Sequence, residues 1–195
     1  MIGLALLLAG AWMAPDVDRG ASDAAECVVD NDLRDVRTLL KTVPGSLSET
    51  EATSKVLVYY GGCSDNKLAT GTFSWRERAE IAEAALAPML RKAPDVAGAI
   101  GRDGWALAMP ATAKPADYAA VTVGVRMMGD CLVRANPQGS LALIRSDRGS
   151  ADETAAINAL SGNIAACVPA GQTLKLKRTD LRLVVAEPLY HVLSR

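Results

Sequence analysis
The sequence predicts a mainly α protein. Its expected build is two tandem three- to four-helix units, each stapled by one disulfide and joined by an irregular Pro/Gly-rich segment. Three observations lead there. The four cysteines, Cys27, Cys63, Cys131 and Cys167, form two pairs with the same spacing of 36. Laying residues 26–87 over 130–191, an offset of 104, aligns twelve identical residues without a gap. In both copies, apolar residues recur at helical spacing between N-cap and glycine stop signals.

The shared residues are spread along the whole overlay. They include Val29/Val133, Leu39/Leu143, Arg78/Arg182, Ala82/Ala186 and Glu83/Glu187. The densest run is Gly-Ser-x-x-Glu-Thr-x-Ala, at Gly45–Ala52 and again at Gly149–Ala156. Two cysteine pairs alone could coincide; that string at the same offset marks a repeat.

Each copy reads as three helices. Asp32 and Asn136 can cap the first, with Pro137 at a first-turn position. Gly45 and Gly149 stand at its stop. Ser46-x-x-Glu49 and Ser150-x-x-Glu153 read as capping boxes opening the second helix, each Glu reaching back to its Ser. Ala52, Val56, Tyr59 and Cys63, with Ala156, Leu160, Asn163 and Cys167, form its expected inner stripe. After short extended pieces at 67–73 and 171–178, a third helix runs from Ser74-x-x-Glu77 to about Lys92, and from Thr179 to about Leu193. Pro188 is expected to kink or end the second copy of it. The apolar run 118–128 is expected to be a buried helix rather than a strand.

This hairpin geometry brings Cys27 near Cys63 and Cys131 near Cys167, so those are the expected pairs among three connectivities. Each closes a loop of roughly 37 residues and adds on the order of 4 kcal/mol in the chain-entropy model. A four-cysteine metal site would need close cysteine knuckles, which are absent. A redox pair would need Cys-x-x-Cys, also absent. A single histidine leaves no multi-His site, so no metal or cofactor is expected.

Residues 1–14 read as a signal peptide: an apolar run with small residues at Ala9-Gly10-Ala11 and a possible cut after Ala14, although no Lys or Arg precedes it. The alternative is an apolar N-terminal helix of the folded domain. With the disulfides, the leader points to an exported protein, periplasmic or secreted. The remaining boundaries are 15–92 for the first unit, 93–117 for the linker and 118–195 for the second unit. No transmembrane segment is expected in the mature chain, since a span needs about 20 apolar residues. Lys+Arg 21 against Asp+Glu 22 gives no basic field for nucleic acid.

Candidate chemistry is sparse. His191 reads as a surface or half-packed helix-end residue. Arg78/Glu83 and Arg182/Glu187 recur in both copies and read as a structural ion pair or cap of the third helix. Their separation of five is not the favoured helical pairing. Tyr59-Tyr60-Gly61-Gly62 reads as a helix end, and Met127-Met128 as core filling. No phosphate loop, nucleophile elbow or zincin motif occurs. Trp105, inside the unshared segment, is a possible binding residue.

The CVV/CLV starts at Cys27 and Cys131, the Gly-Ser-x-x-Glu turns and the Ala-Glu of the third helices carry one likeness. Over 26–90 and 130–191 the chain resembles exported bacterial proteins with a Cys–helical hairpin–Cys repeat. The likeness implies location and fold, and brings no activity. Three functions remain open. The first is a non-enzymatic structural or protein-binding module of the cell envelope. The second is a carrier of a small hydrophobic ligand, and the third a carboxylate-based hydrolase. The partner expected is accordingly a protein or a small apolar molecule.

Overall fold
A computed structural model describes residues 17–63, 73–92, 94–102, 117–168, 171 and 173–194. The signal-peptide reading of 1–14 and Trp105 lie outside the described residues. These residues form eight helices and no strand: α1 (Val17–Leu40), α2 (Leu47–Cys63), α3 (Trp75–Leu90), α4 (Val96–Arg102), α5 (Asp117–Ala135), α6 (Pro137–Arg145), α7 (Ala151–Cys167) and α8 (Asp180–Leu193). None of the described helices is long and apolar enough to cross a membrane.

The repeat survives in three dimensions residue by residue. α2 and α7 match end to end at the offset of 104. α1 bends at Asp32 (φ −148°, ψ 74°); its counterpart Asn136 (φ −146°, ψ 76°) separates α5 from α6. The cause is local. Asp32 Oδ1 accepts from the amides of Arg34 and Asp35, and Asn136 Oδ1 accepts from Gly139. The side chain thus competes with the helical ladder and starts a new helix. Gly45 and Gly149 both take positive φ (83° and 77°), where a Cβ would be strained.

The expected disulfides form, Cys27–Cys63 and Cys131–Cys167, with Cα atoms 5.7 and 5.4 Å apart. The first ties α1 to the end of α2, and the second ties α5 to the end of α7. Counterparts share burial as well: Leu39/Leu143, Ile81/Val185 and Ala82/Ala186 are fully buried in one continuous core. α3 and α8, the equivalent third helices, pack against each other and join the units.

Five details depart from the sequence reading. Ser46 and Ser150 cap as expected, but Glu49 and Glu153 reach past them to the amides of Gly45 and Gly149 (2.6 and 2.7 Å). The capping box expected at Ser74/Glu77, by contrast, forms in full. The inner stripe of α2 runs through Ala52, Val56 and Tyr60, while Tyr59 is exposed and Gly61-Gly62 stay inside the helix. Met128 is core, but Met127 is half exposed. Within 93–117, Val96–Arg102 is helical, with Val96 fully buried.

Pro188 neither ends α8 nor leaves its gap idle. The helix continues to Leu193. Proline has no N–H for the carbonyl of Val184, one turn back. Gly129 of α5 approaches that carbonyl so closely that a Cβ there would lie 1.9 Å from the oxygen. The proline frees a carbonyl, and the glycine lets α5 close on it.

Candidate functional site
Two places combine chemistry with position: a buried charge seam between the units, and an apolar cavity in the second unit. The seam is built from the shared arginines. Arg78, 2% exposed, donates through Nε and Nη2 to Glu187 Oε1 at 3.0 and 2.9 Å, and through Nη1 to Glu49 Oε1 at 2.7 Å. It also meets the Thr42 hydroxyl and carbonyl, at 3.2 and 3.0 Å. Arg182 repeats this set. Its Nε donates to Glu83 Oε1 at 2.6 Å, and its Nη1 to Glu153 Oε1 at 3.3 Å and to the Ser146 hydroxyl. Thr42/Ser146 and Glu49/Glu153 are counterparts.

The shared Arg and Glu of one helix therefore do not pair with each other. Each arginine takes the glutamate of the other copy. Reciprocal exchange of equivalent residues is the mark of an isologous interface, here within one chain. A sequence separation of five disfavoured pairing along a helix; it could not say that the partner lay in the other unit.

The two ends of the seam differ where the copies differ. Glu83 is joined by Arg148, which also binds Glu80 through two bonds of 3.1 and 2.6 Å. Glu187 is joined instead by Arg126 (3.4 Å) and His191 (3.6 Å). His191 is half-packed rather than on the surface: its side chain is 16% exposed and touches Arg126 Nη2. Burial, reinforced by Arg126 and Arg78 and opposed by Glu187, holds the imidazole below its ordinary pKa. Burial would raise the Glu187 carboxyl, but Arg78, Arg126 and His191 outweigh it and hold the group well below the carboxylate range. An acid held ionised has no proton to give as a general acid at neutral pH. Arg126 Nε and Nη1 and Asp130 Oδ1 are buried without a hydrogen-bond partner among the described residues.

The cavity, of about 250 Å³, opens between α5, the end of α7 and the segment leading into α8. Met128, Ile164, Val168, Leu174, Leu176 and Leu181 form its apolar wall, with Ser161. Lys177 and Arg178, both exposed, stand at its rim, and no acid lines it among the described residues. Arg178 is held by Asn158.

The first unit carries aromatic rings at two of the corresponding positions, while those matching Val168, Leu174 and Leu176 lie outside the described residues. Ile164 corresponds to Tyr60 and Lys177 to Phe73. Tyr60 and Phe73 are both buried and stack edge to face, centroids 5.2 Å apart. Two rings on one copy become a branched aliphatic and a cation on the other, and the space is left open. The overlay contains both substitutions, but the expected stripe through Tyr59/Asn163 missed the position.

No group of three or more His, Cys, Asp or Glu among the described residues could hold a metal ion. Comparison with known protein families, curated proteins and solved structures finds no match.

Proposed function
We propose that this protein is an exported, non-enzymatic carrier of a small apolar ligand, bound in the cavity of the second unit. The observation that carries the reading is the contrast at two matched positions: Tyr60 and Phe73 pack ring against ring in one unit, while about 250 Å³ stands open beside Ile164 and Lys177 in the other. Native interiors hold few voids larger than a water, so an open apolar space of this size suits a bound molecule. The acids of the seam support a carrier over a hydrolase, since Glu49, Glu80, Glu83, Glu153 and Glu187 are all engaged by arginines. The two disulfides support a site of action outside the cytoplasm, periplasmic or secreted.

The test transplants the plug. The double variant Ile164→Tyr/Lys177→Phe should lose binding of octanol, read by calorimetry, while keeping native helicity and both disulfides. Octanol binding equal to that of the unaltered protein would remove the reading. The other reading, a structural or protein-binding module of the envelope, draws support from α2, where Leu47 and Val58 are 84% and 76% exposed on one helix face. Its test is loss of a crosslinked partner in Leu47→Ser/Val58→Ser.

A further inference from the structure
We infer that the second-unit cavity takes a free medium-chain alkyl carboxylate, its tail against Met128, Ile164, Leu174 and Leu176 and its head at Lys177 and Arg178. The inference rests on the carrier reading and names its ligand class.

The wall sets the tail. Among the described residues, every side chain facing the space from α5, α7 and the 173–176 segment is aliphatic or a thioether, apart from Ser161. No aromatic ring lines it among the described residues, so flat ring ligands have nothing there to stack on. At roughly 30 Å³ per small group, the volume accommodates about eight carbons. That is too little for the paired acyl chains of a phospholipid.

The rim sets the head. Lys177 and Arg178 are adjacent, exposed and cationic, and no acid among the lining residues neutralises them. Arg178 is steadied by the Asn158 side-chain oxygen, leaving further guanidinium donors to turn toward a carboxylate. The first unit has Phe73 and Ser74 at these two positions, so the cations belong to the open copy alone. Apolar wall and charged rim together describe an amphiphile with one tail and one negative end.

The experiment titrates the full chain with octanoate, with octanol and with phosphatidylglycerol vesicles. Octanoate is expected to bind roughly 5- to 30-fold more tightly than octanol, the range two partly exposed charge contacts give. Lys177→Gln/Arg178→Gln, at exposed positions, should abolish the preference, bringing the ratio of octanoate to octanol affinity to about one. Raising salt should weaken octanoate alone. Equal binding of octanoate and octanol would overturn the anionic head while leaving the carrier reading standing. Binding of neither would overturn both. Preference for the vesicles over octanoate would overturn the free carboxylate in favour of a lipid surface.

Discussion

Arg78 and Glu187 sit 109 positions apart, on equivalent helices of different units, and are joined by two hydrogen bonds of 3.0 and 2.9 Å. Their counterparts Arg182 and Glu83 are joined in the reverse sense at 2.6 Å. The two glutamates are 8% and 14% exposed, so both pairs lie where water is scarce. Such pairs add little net stability when intact, because desolvation offsets attraction, but breaking one strands a buried charge. The seam therefore favours this docking of the units: each arginine's set of partners is completed by a glutamate of the other unit.

Arg78→Met should destabilise the protein by about 3–5 kcal/mol, since Glu187 and Glu49 both lose a buried partner. Chemical denaturation measures it. Glu187→Gln in the same background should recover part of the loss, giving a coupling of about 1 kcal/mol or more in a double-mutant cycle. Additive effects would mean that the pair does not interact in solution.

Acid should weaken the fold first through His191. Its folded pKa lies below the ordinary value of 6.5, so the unfolded chain binds the proton more readily. The stability it contributes is complete above about pH 6.5 and is lost as pH falls through that value toward the folded pKa. Burial raises the Asp130 carboxyl, which runs the opposite way. Below the carboxylate range, the depressed Glu187 adds a second loss. His191→Gln should flatten the melting temperature between pH 7 and 5 relative to the unaltered protein. An unchanged slope would locate the acid sensitivity elsewhere.

Two glycines should respond oppositely to alanine. At Gly129 the new Cβ would meet the Val184 carbonyl at 1.9 Å, so α5 and α8 must separate, at a cost of about 1–3 kcal/mol. At Gly162, in α7, nothing lies within 4 Å, and alanine should stabilise by about 0.5–1 kcal/mol through helix propensity. Thermal melts of the two variants distinguish contact from propensity.

Reduction of both disulfides should lower stability by about 4 kcal/mol per bond in the chain-entropy model. Peptide mapping of unreduced protein should recover the links 27–63 and 131–167 with no free thiol. A link between Cys63 and Cys131 would contradict the hairpin geometry.

The sequence by itself determined the repeat, its register and the local punctuation. Asp32 and Asn136 bend the chain alike because a capping side chain acts within three residues. Gly45 and Gly149 turn it alike because only glycine takes that φ without strain. The disulfides followed, since a hairpin of known helix lengths leaves its ends side by side. Tertiary structure alone decided which glutamate each arginine meets. Arg78 and Arg182 are counterparts in the overlay, and their partners come from the docking of α3 on α8, a contact no local pattern encodes. It also decided that Pro188 continues a helix, because Gly129 closes on the carbonyl the proline leaves free. The cavity is the mixed case. Tyr60/Ile164 and Phe73/Lys177 are visible in the overlay, yet the difference becomes a space only because both positions face the same interior. Whether a missing ring leaves a void depends on whether neighbours can collapse into it, and packing settles that.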